Sequence, residues 1–237
     1  FNDGTAGGTS TEVSLPCMFA PVGRRNYDEA RIRGSESLLH VAARAGVAVH
    51  WRDNQSGCKG VCDALPAMTI DARSAPTLCD GNRCLDEALT QDLADRLKRA
   101  TGTQLWVLHT LGNHGPSYFR RYPQAFAHFL PDCRDDDLHK CSAQEVVNAY
   151  DNALLYTDHV VADAIRSLKA AADSVDSALI YVSDHGESLG EHGEATHGVF
   201  AYEATLRVPL VVYAPALFAS RVVAEPVSTL DLANPPR

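Results

Sequence analysis

The stretch SALIYVSDHGE, residues 177–187, decides how this chain is read. Ser177 to Val182 is a short apolar run of the kind that forms a buried strand. It empties directly into Asp184, His185 and Gly186. Upstream, QLWVLHTLGNHGP (residues 104–116) repeats the plan, with a buried strand from Gln104 to His109 that leads into Gly112, His114 and Gly115. Between them the longest helix is expected from about Ala143 to Ala172. Val147, Tyr150, Leu154, Val161, Ile165 and Leu168 recur there at steps of three, four and seven. Further out, Ser35 to Ala45 has helical spacing and stops at Gly46, and Val47 to Trp51 follows as a strand. Leu85 to Ala100 reads as a second amphipathic helix, and Val208 to Tyr213 as the last clear strand. Helix and strand alternate without internal repeats, which predicts an α/β fold around a mostly parallel sheet. Open sheets of this kind bind ligands at the carboxyl ends of their strands, where the Asp-His and His-Gly loops lie.

Composition bounds the function. The 237 residues are 45% hydrophobic and 22% charged, a profile that excludes a disordered tail, a coiled coil and a low-complexity chain. Twenty-one basic against thirty acidic side chains leave a net charge of −9, which repels phosphate backbones and argues against nucleic acid as a partner. No apolar run approaches the length of a membrane-spanning helix and no signal peptide opens the chain, so the expectation is a soluble piece, taken as one domain over residues 1–237.

The seven cysteines speak to the compartment. Cys58 and Cys62, Cys79 and Cys84, and Cys133 and Cys141 each bracket a short polar loop that a disulfide can staple. A C-x2-C zinc motif is missing, so three disulfides and an oxidising compartment are expected. Cys17 is left over.

Asp184, His185 and His114 on glycine-flanked loops, with His197 twelve residues further on, supply the oxygen and nitrogen donors that a divalent metal takes. Gly7-Gly8-Thr9-Ser10-Thr11 adds a hydroxyl run after a glycine pair, which can open a helix and favour a phosphoryl group there; the bland alternative is a flexible terminus or a helix cap. Of the other histidines, His40, His128, His139 and His159 read as helical or surface residues. His50 reads as a strand residue, His109 as a neighbour of the site and His192 as an outer contact.

Taken together, GTSTEVSLPCMF, WRDNQSGCKGVCD, VLHTLGNHGPSYFRRYP, NAYDNALLYTDH and YVSDHGESLGEHG resemble the phosphoethanolamine transferases of Gram-negative bacteria. That family includes the lipid A-modifying enzymes of polymyxin resistance and belongs to the alkaline phosphatase/sulfatase superfamily. The resemblance covers roughly residues 7 to 198 and implies an alkaline phosphatase-like sandwich whose mostly parallel sheet is flanked by helices. It implies Thr11 as the nucleophile that carries phosphoethanolamine covalently and also binds the metal. Asp184 and His185 become zinc ligands, and His114 and His197 hold a second zinc or the substrate phosphate. Ser56, Lys59 and, more weakly, Glu187 would lie near the headgroup. One or two zinc ions, a phospholipid donor, a lipid A-type acceptor, a monomeric state and a place at the periplasmic face of the inner membrane follow from the same resemblance.

Three departures from the family accompany it. An upstream glutamate ligand and the strand that bears it have no counterpart, and neither do the family's transmembrane helices. Gly7 stands where the family has a cysteine to pair with Cys17. Residues 199 to 237 resemble sulfatase-type hydrolases more than transferases, and LDLANPPR ends where a closing helix is expected. Alternatives are a sulfatase or phosphodiesterase with water as acceptor, although the Cys/Ser-x-Pro-x-Arg motif is missing around Thr11 and Cys17, and a catalytically incomplete fragment. A serine hydrolase built on Gly186-Glu187-Ser188-Leu189-Gly190 is a further one, but no Asp lies between Ser188 and the histidines that follow.

Overall fold

The computed structural model describes residues 1–22, 26–81, 83–193 and 195–233. In chain order the elements are β1 (Gly4–Thr5), α1 (Thr11–Phe19), α2 (Glu29–Arg33), α3 (Leu38–Arg44), β2 (Ala48–Asp53), β3 (Ala67–Thr69), β4 (Cys79–Asp80), β5 (Arg83–Cys84), α4 (Leu93–Lys98) and β6 (Gln104–His109). They continue with α5 (Ala143–Ala170), β7 (Leu179–Val182), β8 (Ser188–Leu189), β9 (Ala195–Thr196), α6 (Glu203–Leu206), β10 (Leu210–Tyr213) and β11 (Val227–Ser228).

The centre is a parallel ladder in the order β3-β2-β6, in register from Ala48 opposite Gln104 to Asp53 opposite His109. Period-two alternation gives β6 two apolar faces. Leu105 and Val107 pack with Leu15, Leu39, Val49 and Trp51 under α1 and α3. Trp106 and Leu108 pack on the opposite side with Leu93, Leu97, Ala164 and Leu168 of α4 and α5. Strand β7 joins that second layer through Leu179 and pairs antiparallel with β10, Leu179 opposite Tyr213. The sheet is thus sandwiched between helices, as expected of an α/β fold with mostly parallel strands.

Two expectations need correction. The helix predicted over 85–100 is broken into a 3-10 turn (Asp86–Leu89) and the short α4. The buried guanidinium of Arg52 donates to Ala88 O, the carbonyl that a continuous helix would offer to Asp92, and also pairs with the Asp92 carboxylate at 2.5 Å. The Thr90 hydroxyl meanwhile donates to Glu87 O. On α5 the length is as expected but the inward face is different. Val146, Ala149, Asn152, Ala153, Tyr156, Val160, Ala164 and Leu168 are buried, whereas Leu154 is 45% exposed. Apolar counting misses this face because it includes a fully buried asparagine. Asn152 Oδ1 accepts from the backbone N–H groups of His128 and Phe129, and its amide donates to Phe129 O.

The three expected disulfides are present: Cys58–Cys62, Cys79–Cys84 and Cys133–Cys141. Cys17 is fully buried among Ala20, Val22 and Ile32, and a Cβ added at Gly7 would lie 3.4 Å from its Cβ. No helix among the described residues is long and apolar enough to cross a membrane. Residues 234–237, the end of the LDLANPPR segment, lie outside the described residues.

Candidate active site

The site gathers at the carboxyl ends of β2, β6 and β7. Asp53 and His109 close their strands side by side, and the His109 Nδ1 to Asp53 Oδ1 distance is 2.6 Å. Burial alone would raise the Asp53 carboxyl. The hydrogen bonds from His109, Gly57 N and Trp51 outweigh it and bring the carboxyl below its ordinary value. A charged Asp53 then holds the loop after β2, since its Oδ2 accepts from Gln55 N and Gly57 N. That loop delivers the Gln55 amide, which donates to Thr11 Oγ1 at 3.3 Å.

Thr11 opens α1, after an extended Ser10 at the cap position, so its hydroxyl sits beside the helix N-terminus. It is buried, and 3.4 Å separate its Oγ1 from His185 Nε2. The hydroxyl run thus does open a helix.

The two His-Gly dipeptides share one local geometry. His114 Nδ1 donates to Gly115 O at 2.7 Å, and His185 Nδ1 donates to Gly186 O at 2.8 Å. His197 Nδ1 donates instead to Glu187 Oε1 at 2.9 Å. With each Nδ1 occupied, the three Nε2 lone pairs are left for an incoming group. The imidazoles of His114, His185 and His197 lie together, with ligand nitrogens all within 4.8 Å of one another. Gly186 has no room for a side chain: a Cβ there would sit 2.1 Å from Ala204 O. At Gly115 a Cβ would meet the Tyr118 hydroxyl at 2.7 Å. Close backbone approach is therefore what the glycines supply.

Glu187 ties the two histidine loops together. Its buried carboxylate accepts from His197 with one oxygen and from Gly115 N, at 3.0 Å, with the other. It raises the His197 pKa above the ordinary imidazole value, more than burial lowers it. His114 is shifted the other way, chiefly by burial, with the neighbouring His197 adding to the effect. A further clamp comes from buried Asp86, which accepts from Leu111 N, Gly112 N and the Asn54 amide and so fixes the loop that leads to His114.

Asp184 Oδ2 is buried with no hydrogen-bond partner among the described residues, and it lies 3.9 Å from His185 Nε2. An orphaned buried carboxylate oxygen costs free energy unless a cation meets it. Together with the His185 Nε2 lone pair and the Thr11 hydroxyl it makes a donor set that fits a zinc-type ion.

Lys59 stands near this group through Glu12, the residue after Thr11, at 3.3 Å from its Oε2. Ser56 is exposed and hydrogen-bonded to the Gln55 side chain. The residue of that loop that reaches Thr11 is Gln55. Sequence reading passed over it, as it passed over Asp53; their place at and just beyond a strand end was the available signal. His109 is the neighbour of the site that was expected. The side chain of His192 lies outside the described residues. Ser188 is almost fully buried and donates to Glu191 Oε2 at 3.0 Å, an anchor for its loop rather than an exposed nucleophile.

The sulfatase family profile matches residues 1–234. Phosphoethanolamine transferase EptA of Salmonella typhimurium is 41% identical over 212 residues, 88% of this chain and 39% of the relative. Phosphatidylethanolamine transferase Mcr-1 of Escherichia coli is 43% identical over 206 residues, 84% of this chain and 38% of the relative. The chain thus spans about two fifths of the length of these curated relatives. The crystal structure of the soluble domain of lipooligosaccharide phosphoethanolamine transferase A from Neisseria meningitidis superposes with a TM-score of 0.91 at 35% identity, over 98% of this chain and 74% of that one. A zinc complex of the periplasmic domain of EptC from Escherichia coli shares the fold, with a TM-score of 0.79 at 22% identity over 98% of this chain and 68% of that one.

Proposed function

The chain belongs to the sulfatase family and, within it, to the phosphoethanolamine transferases, and from that premise we propose that it is the catalytic domain of a zinc-dependent enzyme that moves phosphoethanolamine from phosphatidylethanolamine to lipid A or a related glycan. The observation that carries this reading is the Thr11 hydroxyl at the start of α1, facing His185 Nε2 at 3.4 Å beside the orphaned Asp184 oxygen.

In this reading Thr11 Oγ attacks the phosphorus of the donor headgroup. The bond from phosphorus to the diacylglycerol oxygen breaks, and phosphoethanolamine is left on the threonine. The acceptor hydroxyl then takes the group and restores Thr11. One or two zinc ions, held by Asp184, His185 and Thr11 and by His114 and His197, would lower the hydroxyl pKa and neutralise phosphoryl charge. Gln55 orients the hydroxyl by donating to it. The α1 N-terminus places backbone N–H groups toward the transferred anion. Lys59 and Ser56, on the disulfide-stapled loop between β2 and Cys62, are suited to the headgroup side. Three disulfides suit an oxidising compartment and support a place at the periplasmic face of the inner membrane, with the domain acting as a monomer.

The test is intact mass after incubation with zinc and phosphatidylethanolamine in detergent micelles. A phosphoethanolamine adduct is expected on the parent chain and not on Thr11→Ala. An adduct that persists in the variant would remove Thr11 from the mechanism. Turnover of an aryl sulfate without any phosphodiester turnover would instead favour a sulfatase-like hydrolase.

A further inference from the structure

A second group of metal-type donors lies outside the active site, where α5 meets the 3-10 turn Asp86–Leu89. His159 and Asp163 stand one helical turn apart on α5, and His159 Nε2 lies 3.3 Å from Asp163 Oδ2. Glu87 faces them from the turn, where Tyr156 OH donates to its Oε2 at 3.4 Å. One nitrogen and two carboxylate oxygens from these three residues all lie within 4.8 Å of one another.

We infer that Glu87, His159 and Asp163 form a second divalent-cation site that takes zinc. Zinc bonds nitrogen and oxygen at about 2.0–2.2 Å, so its tetrahedral ligands stand about 3.4 Å apart. The His159–Asp163 edge already has that length, and the Glu87 carboxylate stands within 4.8 Å of both. The imidazole is fixed beforehand: it stacks on Tyr156 with the planes 17° apart and packs against Phe126 at 5.0 Å. Arg166 Nε donates to Asp163 Oδ1 at 3.0 Å and leaves Oδ2 directed at His159. His159 and Asp163 side chains are 34% and 25% exposed, so water can fill the fourth position.

A solvated His/Asp pair one turn apart on a helix would contribute little stability and would need no third group. Here a second carboxylate arrives from another element: Arg166 pairs with Asp163, but Glu87 has no ion-pair partner among the described residues, and a cation between the two carboxylates would meet it. The site differs from the His114, His185 and His197 group in position and in donors, and it does not depend on the transferase reading. It also bears on the active site. Glu87 follows Asp86, whose carboxylate holds Leu111 and Gly112 on the His114 loop, so an ion there pins the turn that carries that clamp.

The test uses the full chain with His114→Ala, His185→Ala and His197→Ala, stripped with EDTA and titrated with zinc chloride in a calorimeter. About one zinc per chain is expected, with affinity at least tenfold weaker once His159→Phe is added. No zinc uptake in the triple variant, or uptake unchanged by His159→Phe, would overturn the inference. His159→Phe should melt with the parent in EDTA, which separates loss of a ligand from loss of the fold. As a measurement that needs no variant, anomalous diffraction at the zinc edge from parent crystals soaked in zinc should show a peak between the three side chains. Its absence would overturn the inference as well.

Discussion

Replacing Glu187 by glutamine tests whether the two histidine loops are held by a single carboxylate. The buried carboxylate accepts from His197 Nδ1 at 2.9 Å and from Gly115 N at 3.0 Å. A glutamine keeps one acceptor oxygen and presents an NH2 group to the other donor. One buried N–H then loses its partner, at a cost of about 1–3 kcal/mol, and the charge-assisted bond to the imidazole weakens. Glu187→Gln should therefore destabilise the metal-free fold by about 2 kcal/mol, and Glu187→Ala, which strands both donors, by about 4 kcal/mol. Metal affinity should fall as well. Partners that orient a ligating histidine are worth about 10–100-fold in affinity, and this one orients His197 and the His114 loop together. Urea denaturation in EDTA reads the first quantity. Zinc competition against a chromophoric chelator, with His159→Phe in both chains to isolate the active site, reads the second. Glu187→Gln with stability within about 0.5 kcal/mol and affinity within about twofold of the parent would refute the clamp.

Gly186→Ala places a Cβ 2.1 Å from Ala204 O, a backbone atom that cannot swing aside. It should cost at least about 3 kcal/mol in urea denaturation and abolish the adduct on Thr11; a loss under about 1 kcal/mol would contradict the packing described. His50 is shifted below the ordinary imidazole value by burial, with Arg96 adding to it, and stacks on Trp106 at 4.2 Å. Below about pH 6.5 the unfolded chain binds a proton that the folded chain resists, so this contribution is complete above that pH and is lost as pH falls toward the lower folded value. His50→Gln should flatten the rise of stability with pH just below about 6.5, by less than one proton, and an unchanged slope would refute the assignment.

What the sequence disclosed follows the range of the forces concerned. Gln104–His109 was legible to the residue because a short apolar run between polar turns has few other uses, and the extent of α5 was legible to within two residues from the recurrence of its apolar positions. The Asp-His-Gly and His-Gly loops were legible because their chemistry is unusual just beyond a strand. The face of α5 was not, since buried Asn148, Asn152 and Thr157 find partners at distant or backbone atoms that no periodicity reveals. The break between the Asp86–Leu89 turn and α4 was hidden for the same reason: Arg52, 36 residues upstream, takes the Ala88 carbonyl. Gln55 looked like an ordinary loop residue until Asp53 was seen to turn that loop toward Thr11. His159 looked like a surface helix residue until Glu87 was seen opposite it.

The central claim, that Asp184 and the imidazoles build a metal-supported site around Thr11, is tested most directly by zinc content. It should be measured on purified chain carrying His159→Phe, with and without Asp184→Ala, beside intact mass to confirm the three disulfides. The account predicts about one zinc or more per chain in the first and the loss of about one in the second. Equal zinc in both, or none in either correctly oxidised chain, would contradict it.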